Sequence, residues 1–162
     1  MKTIIATLAA LLACTTASAD WQYQDSADQM TSKRTSFARL ESNNSLDLDF
    51  PYKGRNHGTL TVRQHPRYGQ NVIFEIDQGQ IMCSHYRGCS VIVRFDDQPP
   101  VTFSGTEPAD NSPTAIFINN GGRFISAASK ARKILVQVGL FHNGSQVLEF
   151  HSAKPLDWKP KK

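Results

Sequence analysis

The chain has 162 residues, 18 Lys and Arg against 14 Asp and Glu, and a net charge of +4. That length suits one domain, with a core large enough to stand without many disulfides. The basic excess is mild and lacks the stripe of cations with interleaved aromatics that nucleic-acid binding needs, so no nucleic-acid partner is expected.

Met1-Lys2-Thr3 is a short positive start, and the apolar run Ile4–Ala13 follows it. Ala17-Ser18-Ala19 then fits the small-x-small pattern of signal-peptidase cleavage, so residues 1–19 read as a secretory signal and Asp20 as the new N-terminus. An alternative lies in Leu11-Leu12-Ala13-Cys14, which loosely resembles a lipobox. Cleavage there would leave a lipidated Cys14, although Leu12 is bulky where a small or β-branched residue is preferred. The expectation is therefore a periplasmic protein, with an outer-membrane lipoprotein or a secreted protein as alternatives. Removal of Lys2 lowers the net charge by one unit. The apolar run is shorter than the roughly 20 residues a membrane span requires, and no later stretch comes closer.

Residues 20–44 read as a polar arm, pinned to the body by Trp21 and Tyr23, with 26–39 a weak helix or irregular. From Ser45 a period of two takes over. Leu46, Leu48 and Phe50 alternate with Asp47 and Asp49, which predicts a half-buried strand ended by Pro51. Further strands are expected over residues 59–63, 72–76, 80–83, 89–95, 101–103, 115–118, 134–138 and 146–151, many of them rich in β-branched residues. Asn119-Asn120-Gly121-Gly122 reads as a turn. Phe124, Ala128 and Ala131 stand at helical spacing, so one short helix is expected over 124–132. Asn143-Gly144 between apolar runs is the strongest hairpin signal. Many short strands with Gly, Pro and Asn turns argue for a mainly β fold, an antiparallel sandwich or partly open barrel spanning 45–158, with 159–162 a basic tail.

Cys83 and Cys89 are the only cysteines outside the signal region, and in an oxidising compartment an even pair reads as a disulfide. Their spacing differs from the CxxC pairs of zinc and redox sites. The staple would display His85, Tyr86 and Arg87 on a closed tip, and Tyr and Arg are enriched at interface hot spots. A second candidate patch is Tyr52, Lys53, Arg55 and His57. If it lies at the same end as the tip, the two would form a basic-aromatic surface.

The five histidines show neither the strand nor the helix spacing of zinc motifs, so no metal is expected. There is no G-x-S-x-G, no phosphate-binding Gly loop and no dinucleotide fingerprint, so no catalytic residue and no cofactor is assigned. Asp47/Asp49 and Asp96-Asp97 read as a solvated strand face and a strand-ending turn, with Arg94 placed to pair with Asp96.

Phe50-Pro51-Tyr52-x-Gly54, Leu60-x-Val62-Arg63, Gly79-Gln80 before Cys83, Val93-Arg94-Phe95-Asp96 and Phe117…Phe124 together resemble small exported proteins of bacteria and their prophages. The layout is also distantly similar to the secreted accessory proteins of type VI secretion. The resemblance covers most of Trp21–Trp158, and its motifs look structural. It implies a non-enzymatic envelope protein that binds or modulates a protein partner, of the secretion-accessory or superinfection-exclusion kind. A polysaccharide or small-ligand module, or a hydrolase with an unrecognised site, are the alternative readings.

Overall fold

The computed structural model describes residues 20–84 and 88–161. The signal region and Cys14 lie outside them. The strands are β1 (Gln22–Ala27), β2 (Arg34–Glu41), β3 (Gly58–His65), β4 (Gly69–Ile76), β5 (Cys83–Ser84), β6 (Gly88–Phe95), β7 (Val101–Thr106), β8 (Ala115–Ile118), β9 (Lys133–Leu140) and β10 (Gly144–His151). One helix, α1 (Gly121–Ala128), stands between β8 and β9. Every pairing is antiparallel, in the order β1-β2-β3-β4-β8-β7-β6-β9-β10, with the short β5 on β6. The fold is mainly β, as the alternation of the sequence predicts.

The sheet is strongly curled. Phe74 of β4 meets Phe150 of β10 edge-on, with ring centroids 6.5 Å apart, although four strands separate them in the order. A Cβ at Gly58 of β3 would stand 2.6 Å from Leu148 Cδ1 of β10, so glycine is what lets these strands approach. The result is a partly open barrel whose interior is filled by alternate residues of each strand. On β9, Ile134, Val136, Val138 and Leu140 point inward; on β6, Cys89, Val91, Val93 and Phe95 do. Helix α1 packs on this core with Phe124, whose ring lies 5.3 Å from Phe95 and 5.9 Å from Phe103.

Several local expectations are corrected. Residues 20–44 are no loose arm: β1 and β2 form a hairpin of the same sheet. The inward residues of β2 are Ser36, Ala38 and Leu40, two of them small, and Phe37 is half-exposed. Hydropathy therefore hides a regular period of two. Conversely, Leu46–Phe50 is no strand. Leu46 and Leu48 are buried as the alternation requires, but the segment pairs with no strand. In the expected strand at 80–83, Ile81 makes one isolated bridge, to Leu140 of β9 rather than to β6. The glycines expected in a turn instead begin α1, which follows Asn120 in the left-handed region (φ 55°) and ends at Ala128, short of 132. Arg94 pairs with Asp97 (3.7 Å), not Asp96. The Asp96 carboxylate accepts the backbone N–H groups of Arg132 and Lys133, at 3.0 and 2.9 Å, and so fixes the entry to β9.

The C-terminal segment runs back over the first hairpin. Asp157 N donates to the Tyr23 hydroxyl, Lys161 N to Ser36 Oγ, and Lys161 Nζ stands 2.7 Å from Asp25. The basic tail is thus bound to the body. Lys161 and the Ser36 hydroxyl hold the Asp25 carboxyl below its ordinary value of 3.8. A depressed folded value means that this carboxylate stabilises the docked tail above its ordinary value and ceases to do so as pH falls through the lowered one.

The edge of β10 is closed by side chains. Asn43 N donates to Glu149 O at 2.7 Å, and Asn43 Oδ1 accepts from His151 N at 2.6 Å. Asn44 Oδ1 accepts from Glu149 N at 2.8 Å, and its Nδ2 donates to Val147 O at 3.0 Å. An asparagine amide carries the donor and acceptor of a peptide group, so two asparagines continue the ladder where no strand follows.

Two outcomes are expected. Asn44→Ala leaves half-buried groups of β10 unpartnered and should lower stability in urea by about 2 kcal/mol, with Asn44→Asp intermediate because it keeps only the acceptor. Below pH 3.8 the amide of Lys161 should lose hydrogen-exchange protection before the barrel does, and Asp25→Asn should remove that pH dependence.

Candidate functional site

The loops at one end of the barrel are knitted together by hydrogen bonds. The segment 42–57 joins the β9–β10 turn through Asp49 N, which donates to Asn143 Oδ1 at 2.8 Å. It joins the segment after β4 through Asn56, which is fully buried. Asn56 Nδ2 donates to Gln78 O (2.8 Å), and its Oδ1 accepts from Gln78 N (3.1 Å). Its backbone N–H donates to Ser45 Oγ, and its carbonyl accepts from Leu46 N. The segment after β4 is fixed in turn to β9 by Met82 N to Gly139 O and Phe141 N to Gln80 O, and to the β7–β8 connection by Ile81 N to Pro113 O.

Cys83 and Cys89 are bonded, as expected, and face each other across β5 and β6. The tip residues His85, Tyr86 and Arg87 lie outside the described residues. The Glu107 carboxylate lies beside the bridge, an oxygen of it and the two sulfurs all falling within 4.8 Å of one another. Both sulfurs are committed to the disulfide, so this grouping offers no thiolate to a metal.

The second candidate patch is split by the structure. Tyr52 is half-buried against the core, and its N–H donates to Asp49 O. His57 turns inward: its N–H donates to Asp77 Oδ2 (2.8 Å), and its Nδ1 lies 3.2 Å from Ser42 O. Its role is to hold the loop. Lys53 and Arg55 are exposed, and neither is hydrogen-bonded or ion-paired to another described residue. The patch does share its end with the disulfide. It is not basic overall, because Asp47, Asp49, Asp77, Glu107 and Asp110 are exposed at the same end. Among the described residues this end is therefore acidic on balance, and the tip that the expected basic-aromatic surface also needs lies outside them.

Three apolar side chains stand out from this end. Phe50 is 83 % exposed, Met82 58 % and Phe141 49 %. Each is attached to backbone held by the bonds above: Phe50 follows Asp49, Met82 N donates to Gly139 O of β9, and Phe141 N, in the β9–β10 turn, donates to Gln80 O. The His142 ring lies 3.9 Å from that of Phe141, on a residue with positive φ. Sequence reading passed over Met82, Phe141 and the amides that position them. The alternation predicts Phe50 as an inward strand residue, and no periodic signal distinguishes an exposed Phe beside a turn.

No protein-family model, no curated protein and no solved structure matches the chain. No helix among the described residues is long and apolar enough to cross a membrane.

Replacing both Cys83 and Cys89 with serine should cost about 2 kcal/mol, the chain-entropy value for so short a loop. Asn56→Ala should be the more severe change for loop order, read as lost exchange protection at Gln78 and Leu46.

Proposed function

We propose that this chain is an exported, non-enzymatic envelope protein that acts by binding a protein partner through its loop end, in the manner of a secretion accessory or a superinfection-exclusion factor. The observation that carries the reading is the set of exposed Phe50, Met82 and Phe141 on braced loops. Large apolar side chains gathered on one face are costly in water and mark contact surfaces. Bracing matters because a surface already ordered loses less entropy on docking. The acidic rim selects for a partner with an apolar centre and a basic border, and against anionic glycans. In sequence, Tyr86 and Arg87 fall between the two bonded cysteines, so they enter the same test.

The test is capture of partners from envelope extracts by the wild-type protein and by Phe50→Ser/Phe141→Ser, quantified by mass spectrometry. A protein enriched by the wild type and reduced about tenfold or more by the double variant is the expected result, since interface aromatics often contribute 2 kcal/mol or more. Equal capture by both, together with full cellular activity of Tyr86→Ala/Arg87→Ala, would sink the proposal.

A further inference from the structure

Away from the loop end, helix α1 and the β6–β7 hairpin enclose an open groove of about 560 Å³. That is within the range of small-molecule sites, roughly 300–1,000 Å³. Its floor is apolar: Phe95 and Phe103 lie beneath it, and Val101, Pro99 and Ala127 form its walls. The helix supplies the rest. Arg123, Ser126 and Ala127 recur at spacings of three and four, which places them on one side of the helix, while Phe124 and Ala128 face the core. Lys130, in the turn just past the helix, also lines the groove, so two exposed cations stand along it with only small side chains between them.

The charge in the groove is unbalanced. Asp96 also lines the groove and keeps its charge, with its carboxylate held by the N–H groups of Arg132 and Lys133, and Asp97 pairs with Arg94, so the lining carries two cations against one anion. Among the described residues neither Arg123 nor Lys130 has an acidic partner. The Arg123 guanidinium lies 5.6 Å over the Phe103 ring, which fixes a planar donor fork at the edge of the apolar floor. Such a fork suits a carboxylate or phosphate.

We propose that this groove binds an anionic amphiphile, its acyl body lying along Val101, Phe103 and Ala127 and its head group on Arg123, with Lys130 adding attraction at the far end. Small residues at 126 and 127 leave the chain room to lie flat. Free fatty acids and single-chain phospholipids share this chemistry. This site is independent of the partner surface at the loop end.

Calorimetric titration with dodecanoate, with dodecanol as the neutral match and with lysophosphatidylglycerol, all below micelle-forming concentrations, tests it. The wild type should bind at least one anion at a single site, about tenfold or more tighter than dodecanol, as a charge-assisted hydrogen bond provides. Arg123→Ala should remove that preference and leave dodecanol binding as it was. Ala127→Trp should fill the groove and abolish binding of all three. Binding of dodecanoate alone assigns free fatty acids; binding of lysophosphatidylglycerol as well assigns membrane-derived lipid. Absence of binding by both anions, or anion binding unchanged by Arg123→Ala, overturns the proposal. Arg123 is exposed and Ala127 is half-buried against the core, so circular dichroism and thermal unfolding check that each variant keeps the fold.

Discussion

A loop that leaves a sheet while still burying leucines has to find partners for its peptide groups, and here asparagine amides provide them. Residues 42–57 put Leu46 and Leu48 into the barrel without pairing as a strand. Unpaired peptides in that position would lose their water and gain nothing in return. Asn43 and Asn44 bond along β10, Asn56 bonds both sides of Gln78, and Asn143 accepts from Asp49. Each amide acts as a short length of backbone. Together they turn what would be a free edge into a continuous surface, which also shields β10 from pairing with other chains.

The loop end gains its character from that bracing. The disulfide holds β5 on β6, and the bond from Asp49 N to Asn143 Oδ1 holds the 42–57 loop to the last hairpin. Between them, apolar side chains are kept in water and carboxylates gather around them. At the groove, Asp96 is held by backbone N–H groups and Asp97 by Arg94, so Arg123 and Lys130 outnumber the one carboxylate in the lining. Charge that is nearly balanced in composition is thus sorted by the fold into regions of opposite sign. The two proposed roles draw on this sorting: an acidic, apolar face for a protein and a basic groove for an anion.

Most of the sheet was legible because its strands alternate. Residues 72–76 are dense in β-branched and aromatic residues, 134–138 bury every second residue, and Asn143-Gly144 sets the turn before 146–151. The first hairpin was not, because Ser36 and Ala38 point inward where hydropathy expects large apolar side chains. The stretch at Leu46 misled for the opposite reason: alternation reports burial of one face, not pairing of the backbone. The disulfide followed from composition and compartment alone. The working parts of the site did not, since Asn43, Asn44, Asn56 and Asn143 read as ordinary loop residues until their partners, as distant as His151, are placed beside them. The acidity of the loop end was hidden in the same way, being assembled from three separate stretches of sequence.

Amide hydrogen exchange at Glu149 and His151 tests the account most directly. These two N–H groups lie on the outer edge of β10 and are covered only by Asn44 Oδ1 and Asn43 Oδ1. The account predicts protection comparable to that of the central strand amides. Exchange at the rate of an exposed edge strand would show that the barrel is not closed there, and the braced loop end would lose its foundation.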